Sequence, residues 1–449
     1  MNKLLFYTIN FMPYPFVPPP EELESAWVTI PNSHYDPRVG HRLYTDYLEE
    51  EIATERFGYD GVLVNEHHQN AYGNMPSPNL VASYIIARTS RIPVGIIGNA
   101  LPLYNHPLRV AEEVAMLDVI SGGRIISGFV RGTGMEYFSY GENPTYARDK
   151  FWEAHDLILK AWTEPGPFEW EGEHFHLRYV NPWPRPLQQP HPPIWIPGVG
   201  SLETVDETAK RRYTFMQVYA PRWLLTKALL AYRKIAEEKY GYTPSPYQLG
   251  AAIPTYVAET DEQAHREARP HLTWLFRNGL QHPAYFAFPP GSMSKKSFRN
   301  FLGTLIEKNI KPLHELTYED LIEQEYVIVG GPDTVIEQLE KFQEESGAGV
   351  IVGAGGQWGA MPVWMAMKNM QIMAEQVMPH FRPPDGKPIW AREEPKVPTT
   401  LSEQAATVAP ALAPRIRFDD DTYMDPRVGH IPEEVEAARN QVGAPTHGQ

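Results

Sequence analysis

Eight times along this chain a short apolar run, rich in β-branched or aromatic residues, is followed by a longer stretch with helical spacing. The runs are Lys3 to Ile9, Gly61 to Val64, Pro93 to Gly98, Arg124 to Phe129, Ile194 to Pro197, Tyr213 to Val218, Gln248 to Ala258 and Gly349 to Val352. Apolar runs without alternation are buried on both faces, and such strands belong to parallel sheets covered by helices. The stretches with helical spacing include Tyr44 to Phe57, Pro78 to Thr89, Pro107 to Ile120, Thr145 to Thr163, Leu202 to Arg212 and Pro221 to Tyr240. Gly58 falls at the left-handed cap of the first, and Pro107 at the first position of the third. Two α/β architectures accommodate this order, an open doubly wound sheet and a closed (β/α)8 TIM barrel. Eight units in unbroken series favour the barrel.

Residues 1–380 are expected to form that barrel, with insertions. Phe168 to Val180 (FEWEGEHFHLRYV) alternates about Gly172 and predicts an inserted hairpin over 168–180. Residues 281–325 form a second insertion, with basic clusters at Lys295-Lys296 and Arg299. A Pro- and aromatic-rich loop from Phe11 to about Val39 follows the first strand. It far exceeds the roughly 4–6 residues of an ordinary connection, and long connections tend to be functional. Residues 381–449 change character, with many prolines, the run Asp419-Asp420-Asp421 and little periodicity. They read as a Pro-rich C-terminal extension, either disordered or laid over the barrel or a partner subunit. Its apolar spots Ile389, Trp390, Ile416 and Phe418 have no core of their own, so a homodimer or higher homo-oligomer is expected. The extension also carries a repeat: Asp425-Pro426-Arg427-Val428-Gly429-His430 duplicates Asp36-Pro37-Arg38-Val39-Gly40-His41. Either both copies fill related pockets in an assembly, or the duplication has no role.

Composition narrows the partners. Lys plus Arg number 40 and Asp plus Glu 55, so the formal charge is 40 − 55 = −15. With no basic patch in view, nucleic acid and anionic membrane are poor partners. The absence of cysteine excludes disulfides, thiolate nucleophiles and zinc–thiolate sites. The first residues, MNKLLFYTIN, lack the features of a signal peptide, and no apolar run approaches the ~20 residues of a membrane span. A cytoplasmic protein acting on a small molecule is expected.

In a barrel the loops that follow the strands all open on one face, where ligands bind. Strand two ends there in Asn65, Glu66, His67 and His68, strand three in Asn99, and strand four in Val130, Arg131 and Gly132. Strand five ends in Gly198-Val199-Gly200-Ser201, and strand eight in the Gly-rich run from Gly353. Two sets stand out. The Gly-Val-Gly-Ser segment opens a helix, so free N–H groups and the positive end of the dipole face the site, with Ser201 as cap or anion donor. Arg131 can reach the same anion with a two-pronged guanidinium. Each feature alone is also what ordinary helix capping requires; together on one face they suggest a phosphate-bearing ligand. The second set is Glu66, His67 and His68 with Asn99, either acid–base chemistry or histidines that cap a strand. Neighbours on a strand point to opposite faces and no third ligand has matched spacing, so no metal site is expected.

Several ordered motifs carry a resemblance. Ala53 to His68 runs A-x-E-x-x-G-Y-D-x-x-x-x-x-E-H-H, and Pro107 to Arg124 runs P-L-R-V-A-E-E-V-A-M-L-D-V-I-S-G-G-R, followed by Gly128 and Arg131-Gly132. The W-E-G-E-H-F hairpin (Trp170 to Phe175), the P-H-P-P-I-W strand entry (Pro190 to Trp195) and V-G-G-P-x-x-V (Val329 to Val335) come after. Over about residues 1–380 the chain resembles the bacterial-luciferase-like flavin monooxygenase family. The resemblance implies a (β/α)8 barrel that binds reduced FMN, made by a separate flavin reductase. The flavin reacts with O2, and a C4a-(hydro)peroxyflavin oxygenates a small organic substrate. His67 falls on the family's catalytic histidine, with Glu66 and Asn99 beside it. Arg131, Gly200 and Ser201 fall on its FMN-phosphate positions, with Val130, Val199, Gly98 and Asn99 along the cofactor. Ile97-Gly98-Asn99 falls where the family carries a non-proline cis peptide under the flavin. Met12, Tyr14, Phe16 and His68 are the expected substrate-pocket residues, with the first loop and the 281–325 insertion as covers. Some relatives use the deazaflavin F420 for hydride transfer instead, and a non-catalytic flavin-binding protein is a third reading.

Overall fold

The computed structural model describes residues 4–382 apart from 296–297, 300–302, 304–306 and 308–310. The extension over 381–449, with its copy of the repeat, lies outside these residues from 383 onward, as does part of the 281–325 insertion.

Eleven strands form among the described residues: β1 (Leu5–Ile9), β2 (Gly61–Val64), β3 (Val94–Ala100), β4 (Ile125–Val130), β5 (Phe168–Glu171), β6 (His176–Val180), β7 (Ile194–Gly198), β8 (Thr214–Gln217), β9 (Leu249–Val257), β10 (Ile328–Gly330) and β11 (Val350–Ala354). Eight of them close a parallel barrel in the order β1-β2-β3-β4-β7-β8-β9-β11, with β11 returning to β1 at Leu5↔Val350. This is the (β/α)8 architecture. β5 and β6 form the expected antiparallel hairpin outside it, and β10 pairs with the second half of β9. The first eight helices are α1 (Pro37–Arg56), α2 (Pro78–Arg88), α3 (Leu108–Ser121), α4 (Gly134–Tyr140), α5 (Ala147–Thr163), α6 (Leu202–Lys210), α7 (Arg222–Tyr240) and α8 (Asp261–Trp274). Pro332–Ser346 and Val363–Ile372 are helical beyond them.

Strand alternation divides the core in two. Tyr7, Ile9, Leu63, Ile97, Ile126, Trp195, Met216, Val350 and Val352 belong to one cluster and fill the barrel. Tyr7 meets Trp195 edge to face there at 5.1 Å between ring centres. Their neighbours Val62, Val64, Val94, Ile96 and Ile125 pack outward on α2 and α3. Both faces of each strand are therefore dry, which is why the sequence runs show no polar alternation.

Two elements depart from expectation. α1 begins at Pro37, not at Tyr44, because Asp36 accepts a hydrogen bond from Arg38 N–H and Pro37 takes the first helical position. The segment from Gly134 to Tyr140, absent from the expected helices, is a helix held by a capping box between Thr133 and Glu136.

Candidate active site

The exit of β2 sorts its polar residues by side. His67 points one way and its neighbours Glu66 and His68 the other, as extended chain requires. His67 Nδ1 lies 2.9 Å from Glu136 Oε1. The Glu136 side chain is 2% exposed. Its second oxygen accepts from Thr133 N–H at 2.9 Å, so the α4 capping box also fixes the carboxylate beside the imidazole. Around the His67 ring stand Tyr72 at 5.0 Å, Trp27 at 5.1 Å and Phe11 at 6.0 Å. Tyr219 and Trp358 close on the far side of Phe11. The Tyr72 and Tyr219 hydroxyls share a hydrogen bond, and burial raises both above the ordinary phenol value. His67 thus sits against three aromatic rings and one carboxylate, with Tyr219 and Trp358 as a second layer behind Phe11.

The cover over these rings is latched. Trp27 Nε1 donates to Gly279 O at 2.8 Å. Gln281 Nε2 donates to Pro20 O and Leu23 O at 2.9 and 2.6 Å. The loop after β1 and the segment entering the 281–325 insertion are bound to each other over the same mouth.

Glu66, His68 and Asn99 form a separate network. Glu66 Oε1 pairs with His68 Nε2 at 2.8 Å, and Oε2 accepts from the Tyr104 hydroxyl at 2.8 Å and from Asn99 Nδ2 at 3.4 Å. His68 Nδ1 meets the Tyr140 hydroxyl at 2.8 Å. The structure therefore separates these side chains from His67 and ties the exits of β2 and β3 together. The Ile97–Gly98 peptide is cis. A Cβ on Gly98 would stand 2.4 Å from Gly128 O, so only glycine lets β3 and β4 approach this closely.

A third group gathers at the ends of β4, β7 and β8. Arg131 Nη1 donates to Ser292 O at 3.0 Å, and burial draws its pKa below the ordinary guanidinium value. Ser201 caps α6 by accepting from Thr204 N–H. Gly200 has φ +83°, and a Cβ there would lie 2.8 Å from Gln217 Oε1. That oxygen is buried without a hydrogen-bond partner. Turned by half a rotation the same amide presents N–H donors to that space. A guanidinium in low dielectric, a helix N-terminus and an unsatisfied amide fit the phosphate end of a cofactor. Val130 is half-buried at the end of β4, and Val199 is 66% exposed.

The first loop places its residues differently from the expectation. Met12 is fully buried among Tyr47, Val62, Val64 and Met75, on the helix side of the sheet. Tyr14 accepts from Asp36 N–H at 3.0 Å and packs on Tyr35. Phe16 is 61% exposed. Phe11 and Trp27 of the same loop reach His67 instead. The loop has no period, so nothing in it told inward from outward. Glu136 was also missed, although T-G-M-E is a readable capping box; Tyr72 and Tyr219 carried no signal. Among the described residues no group of three or more His, Asp or Glu could hold a metal, and no helix is long and apolar enough to cross a membrane.

A model described as luciferase-like monooxygenase matches residues 37–348. The chain belongs to the luciferase-like monooxygenase family. It is 30% identical over 313 residues to an uncharacterised protein of Sinorhizobium fredii, covering 69% of this chain and 84% of that one. It is also 30% identical over 164 residues to the oxygenase component of the flavin-dependent trigonelline monooxygenase of Acinetobacter baylyi, covering 36% of this chain and 45% of that one. Among solved structures, the oxygenating constituent of 3,6-diketocamphane monooxygenase from Pseudomonas putida, in complex with FMN, aligns with a TM-score of 0.60. Its identity is 19%, and the alignment covers 84% of this chain and 99% of that one. An F420-dependent secondary alcohol dehydrogenase shares the fold with a TM-score of 0.56 at 18% identity, covering 85% of this chain and all of the other.

Proposed function

We propose that this chain is the oxygenase component of a two-component monooxygenase. It would take reduced FMN from a separate reductase and use O2 to oxygenate a small organic substrate. The observation that carries the reading is the His67–Glu136 pair, lined by Phe11, Trp27 and Tyr72, on the barrel face that also bears Arg131 and the start of α6. The relative from Acinetobacter baylyi, itself an oxygenase component, supports it.

Arg131, Gly200 and Ser201 would hold the phosphate, with Val130, Val199, Gly98 and Asn99 along the ring system. Reduced flavin, once bound, supplies the electrons that activate oxygen. The chain's own tasks are orientation, water exclusion and proton handling. Phe11, Trp27, Tyr72, Tyr219 and Trp358 exclude water and offer apolar surface to a substrate with apolar or aromatic parts. Glu136 holds the His67 ring through Nδ1, which leaves Nε2 as the nitrogen to hold or pass a proton. Glu66, His68 and Asn99 brace the strand exits beneath. The substrate wall is assigned to Phe11 and Trp27 rather than to Met12, Tyr14 and Phe16.

The test is an anaerobic titration with reduced FMN, reduced riboflavin and reduced F420, followed by oxygen. Reduced FMN should bind best. Arg131→Ala should weaken FMN by about 1.5–3 kcal/mol, the scale of a hydrogen bond to a charged group, and leave riboflavin nearly unchanged. Equal loss of both ligands would remove the phosphate assignment. Preference for F420 without oxygen consumption would favour the hydride-transfer reading.

A further inference from the structure

We propose that Glu50 is a positioning residue: from behind the barrel wall it sets the two loops that carry Phe11 and Trp358, and so sets the aromatic lining of His67. The inference rests on the proposed function only for what that lining does; the positioning itself is a matter of geometry.

Glu50 lies on α1 and is 2% exposed. Its carboxylate bridges two strand exits. Oε2 accepts from Asn10 Nδ2 at 3.0 Å, directly after β1. Oε1 accepts from Gln357 N–H at 2.7 Å, in the loop after β11. Each contact is fixed further. Asn10 Oδ1 accepts from Met12 N–H at 2.7 Å, and Asn10 O from Asn65 Nδ2 at 3.0 Å. Gln357 Nε2 donates to Gly359 O at 2.7 Å, and Trp358 Nε1 to Gly353 O at 3.1 Å. Phe11 is the residue between Asn10 and Met12, and Trp358 the residue between Gln357 and Gly359. Their ring centres are 5.9 Å apart, and Phe11 stacks on His67. One buried carboxyl group therefore fastens both ring-bearing loops. Apolar packing alone would fill this gap without fixing the loops against each other. Two oxygens on one rigid group, each able to accept whether or not the carboxyl carries its proton, specify their separation.

The measurement is the ring signal of His67 in ligand-free protein labelled with 13C-histidine, read beside the melting temperature and the peroxide released per reduced FMN oxidised. Glu50→Gln keeps the size but cannot accept at both positions. Its His67 signal should move in the same direction as in Phe11→Leu. The double variant should fall short of the sum of the two single shifts, because both changes reach His67 through the position of residue 11. Peroxide release should rise while FMN affinity holds. An unmoved His67 signal with a lowered melting temperature would make Glu50 a purely structural group and overturn the proposal, and so would full additivity in the double variant. The signal is read without flavin, so wild-type protein that fails to bind reduced FMN would count against the proposed function and not against this inference.

Discussion

Glu136 both holds His67 and caps the start of its own helix, so its removal separates orientation from binding. Glu136→Ala leaves the imidazole ring held by packing alone. We expect FMN affinity to stay nearly unchanged, since Arg131 and Ser201 are untouched, while product per flavin oxidised falls by about tenfold or more, less than the roughly 10²–10⁴-fold of direct acid–base help because Glu136 acts only through His67. Oxygen uptake and peroxide assays decide it; undiminished product would make the pair structural. The second residue-scale prediction concerns pH. Burial pushes the Glu50 carboxyl from 4.5 up to about 8, against the pull of its hydrogen bonds. Between those values the folded chain keeps a proton that the unfolded chain has released. Stability is therefore full below about 4.5, falls as pH rises, and levels above about 8. The slope from one such group approaches about 1.4 kcal/mol per pH unit. Glu51, buried beside it and likewise raised by burial, adds in the same direction. Urea midpoints across this range should show a shallower fall in Glu50→Gln, and a slope equal to wild type would contradict the assignment.

Among elements, α1 shows where local signals compete. Gly40 lies inside the helix, where glycine is unfavourable by about 1 kcal/mol. A Cβ there would fall 1.9 Å from the Tyr35 hydroxyl oxygen, so the glycine is kept to let Tyr35 pack across the first turn. The helix starts at Pro37, seven residues before the expected Tyr44. The start is set by Asp36, and Asp36→Ala should lower the denaturant midpoint, as loss of a cap does. No change would mean that packing alone holds the first turn. The barrel was legible because every strand is dry on both sides and so lacks polar alternation. His67 and Arg131 were legible because strand ends in a barrel share one face. α4 was not, since seven residues make too few turns to show a period. Nor was the direction of Phe11 against Met12, which depends on the Asn10–Glu50 bond across 40 residues of chain.

At the scale of the whole molecule, the described surface carries an apolar stripe on two neighbouring helices. Leu80 and Tyr84 on α2 are 73% and 42% exposed, and Met116, Val119 and Ile120 on α3 are 47%, 45% and 62% exposed. Spacings of three and four residues put each set on a single helix face, and the packing of α2 against α3 joins the two faces. Exposed apolar side chains on neighbouring helices are candidates for a contact surface, and a self-complementary pair of helices suits a two-fold homodimer. We predict that Leu80→Glu with Ile120→Glu lowers the solution mass toward the 51.1 kDa of one chain, by light scattering after gel filtration. Truncation after about residue 380 tests the Pro-rich extension as a separate source of assembly. If the truncated chain stays dimeric and the helix-face variant does not, α2 and α3 form the interface. If the reverse holds, the extension does. His67, Glu136, Arg131 and Ser201 all come from one chain, so the monomeric variant should still bind reduced FMN. Loss of FMN binding together with the dimer would mean that a partner subunit completes the site.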